Sequence, residues 1–145
     1  MNGQKTTVVV RLILEKDGKL LFLKKTAQNG GGFSLVGGKV DDGESAHDAI
    51  VRESHEEANI EIKRKHLRFL HIFQRHSESE LILLFTAKKW KGKPQSKELD
   101  KFKKVSWIDK TDLPKNISQV TEHLVDKYFS NKFFSEENIL RGVNK

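Results

Sequence analysis

Residues 38–60 read GKVDDGESAHDAIVRESHEEANI, and this stretch decides the fold of the chain. It holds seven carboxylates, whereas the whole chain carries a formal net charge of +7. Its glycine-containing first part predicts a loop. Its second part predicts a helix with Ser45 as the N-cap, because a serine oxygen can accept from the first free backbone N–H groups.

The predicted helix places Glu53, Glu56 and Glu57 on one face. At 3.6 residues per turn they fall within a wedge of roughly 100°. An acidic helix face is ordinarily only a solvated surface. Here the three carboxylates would repel one another unless a cation lay among them, and ligands that are all oxygen select hard ions. The stretch therefore predicts a divalent metal, Mg²⁺ first and Mn²⁺ second.

The spacing of residues 38–60 resembles the signature of the Nudix hydrolases, G-x5-E-x7-R-E-U-x-E-E-x-G-U, in which U is a bulky aliphatic residue. The matching residues are Gly38, Glu44, Arg52, Glu53, Glu56, Glu57 and Ile60. Three positions depart from the family pattern. Ser54 replaces an aliphatic residue, Asn59 replaces the second glycine, and Val36 stands where many members have proline. None is a charged position, and Asn also tolerates the left-handed conformation that ends helices.

The resemblance implies an α/β (α+β) fold, an α/β/α sandwich with a curled mixed β-sheet, in a single MutT-like domain spanning residues 1–145. It also implies hydrolysis of a nucleoside diphosphate that is linked to another group. The metal ligands that it implies are Glu53, Glu56, Glu57 and a backbone carbonyl at Gly38 or Gly37.

Four residues are predicted to take part in catalysis: Arg52, Glu53, Glu56 and Glu98. Arg52 is expected to fix a glutamate rotamer by a bidentate hydrogen bond, and Glu44 to contribute an outer contact. General bases vary within the family, so Glu53, Glu56 and Glu98 all stay candidates. Glu98 precedes a segment that resembles the last strand of these enzymes, although it could equally be an ordinary loop residue.

Substrate identity is open among several nucleotides. A nucleoside triphosphate, standard or oxidised, is favoured by the short chain and its basic charge, and it would give a monophosphate and pyrophosphate. A nucleotide sugar such as ADP-ribose, a dinucleoside polyphosphate and an RNA 5′ end are the alternatives. A protein of another class, which binds nucleotide or RNA without catalysis, should have lost one of the charged signature residues, and none is lost here.

Composition sets the remaining expectations. The 145 residues include 36% hydrophobic and 32% charged residues and no cysteine, which excludes disulfides and thiolate chemistry and favours a reducing cytoplasm. No apolar run is long enough to span a membrane, and no signal peptide is recognisable. The positive charge suits an anionic partner such as a nucleotide. The alternative is that the lysines only keep the protein soluble. Monomer and homodimer are both compatible with the sequence.

The rest of the chain predicts strands before and after the central helix, then a terminal helix. A hairpin turn is expected at Asp17-Gly18, because both residues tolerate positive φ. A terminal helix is expected from an N-cap at Asn116 to about Phe129. Residues 133–145 are expected to form a short helix or a loose tail. The other predicted strands are 33–35, one within 60–76, 81–87 and 102–108. The aromatic residues Phe33, Phe73, Trp90 and Trp107 fit core positions, although each could stack on a base.

Overall fold

The computed structural model describes residues 5–138, which form nine strands and two α-helices. The strands are β1 (Thr7–Leu12), β2 (Glu15–Lys16), β3 (Lys19–Lys25), β4 (Phe33–Ser34), β5 (Val36–Lys39), β6 (Leu67–Arg75), β7 (Glu80–Ala87), β8 (Phe102–Asp109) and β9 (Phe134–Glu136). The helices are α1 (Ala46–Ala58) and α2 (Gln119–Tyr128). No helix among these residues has the length and apolar character that crossing a membrane requires.

The strands form two sheets. The first has five strands in the order β5-β1-β7-β6-β9. It is mixed, because β1 is antiparallel to β5 and parallel to β7, while β6 is antiparallel to β7 and parallel to β9. In the second sheet β3 pairs along its length with β8, and the short strands β2 and β4 pair with β3. The predicted mixed sheet is confirmed.

Strand alternation places the apolar residues of β1 and β3 in two cores. Val10 and Leu21 belong to the core under α1, where Ala49, Ile50 and Ala58 are fully buried. The residues of β1 and β3 that alternate with these two face the other side of their sheets. They form a second core with Leu124 and Val125 of α2. Because helices cover both faces of the sheets, the sequences of these strands are nearly continuous apolar runs. The two cores confirm the predicted α/β/α arrangement.

The Asp17-Gly18 hairpin is confirmed, with φ values of 53° and 76°. Three other predictions are wrong. The predicted loop does not begin at Gly38: Gly37 and Gly38 lie in β5, because β1 supplies backbone partners for this segment. The terminal helix is capped by Ser118 and not by Asn116, whose carbonyl instead accepts from Phe33 N–H at 3.0 Å.

The third correction concerns the C-terminal segment. Residues 134–136 are neither a helix nor a loose tail but strand β9, which adds to the open edge of β6. His71 holds this strand in place, because its two ring nitrogens lie 2.8 Å from Lys132 O and 2.7 Å from Ser135 Oγ. The remainder of the predicted tail, residues 139–145, lies outside the described residues.

Candidate active site

Helix α1 is the element that presents the acidic side chains. Its N-cap is Ser45, which accepts from Asp48 N–H at 3.1 Å as predicted. At the other end Asn59 adopts the left-handed conformation, with φ 60° and ψ 37°, so it replaces the family's glycine without a change of backbone. Ser54 is fully buried, and its hydroxyl donates to Ile50 O at 2.6 Å. This internal bond satisfies the polar group that departs from the family pattern.

Strand β5 brings the two glycines under α1. Gly37 is buried with φ +146°, a conformation that favours glycine, and a Cβ there would meet the backbone of Val10 and Arg11. The nearest atoms that a Cβ on Gly38 would meet all belong to the carboxylate of Glu53. The two glycines therefore have different physical roles: Gly37 allows the strand to pair, and Gly38 leaves room for the Glu53 carboxylate.

We expect the two alanine substitutions to separate these roles. Gly37→Ala should lower the free energy of unfolding by about 3 kcal/mol, because it combines an unfavourable φ with a backbone clash. Gly38→Ala should cost less than about 1 kcal/mol, because the end of a flexible side chain can move aside. Urea denaturation of both variants checks this. Equal losses of stability would contradict the assignment of separate roles.

Glu57 is buried, with 8% of its surface exposed, and its Oε1 accepts from Gly37 N–H at 2.9 Å. Burial, together with the charge of nearby Glu53, raises the pKa of Glu57 to about 8, against the opposing effect of that hydrogen bond. The sequence places all three glutamates on one helix face, and the structure distinguishes Glu57 from the other two, because α1 packs on β5 and draws this carboxylate into the interface.

Glu53 and Glu56 differ in their surroundings. The Glu53 side chain is 13% exposed, and burial raises its pKa while the nearby Arg52 charge lowers it. The Glu56 side chain is 45% exposed, and its Oε1 accepts from Arg52 Nη1 at 3.1 Å. The three carboxylates thus form a gradient from buried to exposed along the α1 face.

Arg52 makes the bidentate hydrogen bond that the sequence suggested. Its Nε and Nη2 donate to the two oxygens of Glu44 at 2.8 and 3.0 Å, and Nη2 also donates to Lys39 O at 3.2 Å. Glu44 accepts in addition from Asp41 N–H at 3.0 Å. The hydrogen bond from Arg52 holds the pKa of Glu44 at about 2. Arg52 therefore ties the loop before α1 to the helix.

Arg11 is a charged neighbour that the sequence analysis missed. It faces Gly37 in the register between β1 and β5, and its Nη1 donates to Leu35 O at 3.3 Å. Its charge opposes the rise in the pKa of both Glu53 and Glu57. The only signal in the sequence was a lone arginine within the apolar run of residues 8–14.

Glu98 comes to the same place from a distant loop. Lys97 N–H, next to it, donates to Glu57 O at 3.4 Å, which fixes the loop against the last turn of α1. The charge of Glu98 contributes to the raised pKa of both Glu53 and Glu57, as expected for neighbouring carboxylates. Its own partner is Lys101, at 3.7 Å. The loop that carries Glu98 therefore lies beside the last turn of α1.

The donor set suits a hard divalent cation. Burial raises the pKa of Glu53 and of Glu57 beside each other, so a cation between them would relieve an unfavourable concentration of charge. Within residues 5–138, no three His, Asp or Glu side chains converge closely enough to hold a metal alone. One or two carboxylates completed by water, carbonyl or phosphate oxygens are the usual protein ligands of Mg²⁺.

Comparisons of the sequence with known proteins give one family and one relative. The family model described as the NUDIX domain matches residues 3–128. A curated CTP pyrophosphohydrolase of Escherichia coli (strain K12) is 46% identical over 55 residues, which cover 37% of this chain and 41% of that protein. The chain thus matches less than half the length of that relative.

Solved structures resemble the whole fold. A MutT NUDIX hydrolase from Burkholderia pseudomallei superposes with a TM-score of 0.75 at 25% identity, over 86% of this chain and 98% of that one. The solution structure of the E. coli ORF135 protein gives a TM-score of 0.70 at 26% identity, over 87% of this chain and 90% of that one.

Proposed function

The chain belongs to the Nudix family, and we propose that it is a metal-dependent pyrophosphohydrolase that converts a nucleoside triphosphate to a monophosphate and pyrophosphate. The observation that carries the proposal is the pair of poorly exposed carboxylates, Glu53 and Glu57, that α1 holds over β5, with the loop of Glu98 bound to the last turn of the helix. Hydrolysis of a pyrophosphate bond needs a cation that neutralises the charge of the phosphates. Carboxylate oxygens are the ligands that bind such a cation.

The proposed metal ligands are Glu53, Glu56, Glu57 and the carbonyl oxygen of Gly38, and the ion is Mg²⁺ or Mn²⁺. A bound divalent cation would neutralise phosphate charge and activate a water molecule. Glu56 can keep its hydrogen bond to Arg52 through Oε1 and offer Oε2. Gly37 N–H orients the Glu57 carboxylate, so the side chain is positioned before any ligand arrives.

The other charged residues have proposed roles in positioning and proton transfer. Arg52 positions the loop of Glu44 and the side chain of Glu56 through its hydrogen bonds. Glu98 is the favoured general base, since it approaches from outside the helix, with Glu53 and Glu56 as the other candidates. A base must reach the attacking water directly, and a loop residue can adjust to that distance.

A nucleoside triphosphate is the favoured substrate because the protein is strongly basic, with a net charge of +7. The relative named CTP pyrophosphohydrolase supports a triphosphate and brings cytidine into consideration. An oxidised or otherwise non-standard triphosphate belongs to the same class. ADP-ribose, a dinucleoside polyphosphate and an RNA 5′ end stay as alternatives. A cytoplasmic enzyme would meet all of these substrates.

A substrate panel tests the proposal. The full chain with Mg²⁺ is incubated with the common ribo- and deoxyribonucleoside triphosphates, 8-oxo-dGTP, ADP-ribose, a dinucleoside polyphosphate and triphosphorylated RNA. Pyrophosphate and nucleoside monophosphate should appear in equal amounts from a triphosphate, with the highest kcat/KM of the panel. A higher kcat/KM for ADP-ribose or RNA would replace the triphosphate assignment, and no hydrolysis of any member would contradict the enzyme assignment.

Glu98→Gln separates the two roles open to this residue. If Glu98 is the base, kcat should fall by about 10²-fold with KM nearly unchanged, because proton transfer is lost while binding is kept. If it is a metal ligand, the variant should instead need more Mg²⁺ for half-maximal rate. Steady-state kinetics over a range of Mg²⁺ concentrations distinguishes the two. Lys101→Gln, which removes only the ion-pair partner of Glu98, serves as the control. Kinetics of Glu98→Gln equal to the parent would leave Glu98 an ordinary loop residue.

A further inference from the structure

A cavity of about 720 Å³ lies apart from the carboxylates described above. Its walls come from the segment after α1, from the segment after β7 and from the β2 hairpin, and they include none of the acidic residues of α1. Its volume falls within the range of pockets that hold small molecules. The proposed hydrolysis gives this cavity no role.

Positive charge dominates the cavity. Five lysines line it, against one glutamate, Glu61: they are Lys16, Lys63, Lys88, Lys89 and Lys91. None of the five makes an ion pair or a side-chain hydrogen bond with any residue of the part of the chain that the structure describes. Like charges in a concave wall reinforce one another and attract anions.

His66 reports the same positive field. It lines the cavity beside the lysines. Partial burial lowers the pKa of His66, and the charges of Lys65, Lys89, Lys63 and Lys88 lower it further. The lysines are therefore close enough to act together on one group, as they would on a phosphate.

Trp90 gives the cavity an aromatic wall. It is half-buried, and its indole stacks on that of Trp107 at a centroid distance of 6.3 Å and an angle of 27°. This stacking holds the Trp90 ring in one orientation, so a ligand would not have to order it. A fixed indole among lysines offers a stacking surface to a planar base and cations to its phosphates.

One chain segment links the cavity wall to the end of the acidic helix. Lys91 pairs with Glu61 on the cavity wall. Further along, Gln95 N–H donates to Ala58 O at 3.0 Å and Lys97 N–H to Glu57 O at 3.4 Å. The segment from residue 91 to residue 97 thus runs from the cavity wall across the C-terminal end of α1.

We propose that this cavity is a second nucleotide site, which holds a nucleoside polyphosphate with its phosphates on the lysines and its base against Trp90. Nucleotide binding at this site needs no metal, unlike binding at the catalytic site, because the lysines already supply positive charge. The proposal does not depend on the hydrolytic function and can be tested in metal-free protein.

Calorimetric titration in EDTA tests the site in the full chain. The probes are adenosine 5′-(α,β-methylene)triphosphate, which resists cleavage at that bond, inorganic tripolyphosphate, adenosine and single-stranded oligouridylate. We expect the nucleotide to bind most tightly, tripolyphosphate about tenfold more weakly because it cannot stack, and adenosine not measurably. Raising the salt concentration should weaken binding of both anions.

Paired charge variants locate the site. Lys88→Glu/Lys89→Glu should weaken nucleotide binding at least about tenfold, because it reverses two of the five cavity charges. Lys103→Glu/Lys104→Glu, an equally exposed adjacent pair on β8 outside the cavity, should change it less than about twofold. Trp90→Leu should reduce nucleotide affinity to that of tripolyphosphate and leave tripolyphosphate unchanged. Glu53→Gln should leave all these affinities unchanged, which keeps this test distinct from that of hydrolysis.

Thermal unfolding of each variant shows whether the fold is kept. If the Lys88/Lys89 variant does not fold, Lys63→Glu/Lys91→Glu tests the same wall. Equal weakening by the cavity pair and the β8 pair would overturn the proposal, since the anion would then bind surface charge without a site. Tight binding of oligouridylate alone, lost only in the cavity variant, would also overturn it and assign the surface to RNA.

Discussion

Removal of divalent cations is expected to slow hydrolysis of the nucleoside triphosphate by more than about 10³-fold, the largest effect that we predict. Glu53 adds negative charge where a tri- or tetra-anionic substrate must approach, and Glu57, whose pKa burial raises to about 8, adds more as the pH rises past that value. Without a cation, the site repels its own substrate. Rates are measured in EDTA and again after Mg²⁺ or Mn²⁺ is restored.

Binding of the cation should also be visible without substrate. A ligand that binds only the folded protein raises the unfolding temperature as its concentration rises. We expect Mg²⁺ to raise the melting temperature of the parent and to have less effect on Glu53→Gln. A full hydrolysis rate in EDTA would contradict the metal assignment, and an unchanged melting temperature with retained metal dependence would place the cation on the substrate alone.

The second large effect is expected from substitution of Glu53 or Glu57, the two least exposed carboxylates of α1. Glu53→Gln and Glu57→Gln should each lower kcat by about 10²-fold or more, because each removes a charged ligand and keeps the side-chain size. Glutamine at position 57 can still accept the Gly37 N–H through its amide oxygen, so the contact between α1 and β5 is kept. Steady-state kinetics at saturating Mg²⁺ measures the loss.

The melting temperature of the metal-free variants distinguishes a catalytic from a structural role. Both should melt at or above the parent temperature, because a neutral amide replaces a carboxyl whose ionised form burial disfavours. Asp42→Asn removes an exposed carboxylate from the loop before α1 and should keep the parent rate. A large drop in melting temperature for both glutamine variants would indicate a structural network instead of metal ligands.

The sequence by itself determined the helix and the set of charges that it carries. The N-cap at Ser45 and the left-handed Asn59 follow from local backbone chemistry, and both are found. The shared face of Glu53, Glu56 and Glu57 follows from the helical repeat, which depends on spacing alone. The bidentate pair of Arg52 also joins residues only eight positions apart, at Glu44. All of these features depend on residues that are close in the chain.

Tertiary structure decided which of those carboxylates is buried and what surrounds them. Gly37 meets Glu57 across 20 positions because β5 pairs with β1, and that pairing is not visible in the local sequence of a two-glycine segment. Strand register likewise places Arg11 opposite Gly37. The loop of Glu98 lies beside the acidic helix because it bonds to the end of α1, and the same segment begins at the wall of the lysine-lined cavity. Such contacts depend on strand register and on the packing of distant segments, whereas helical spacing and capping are set within a few residues.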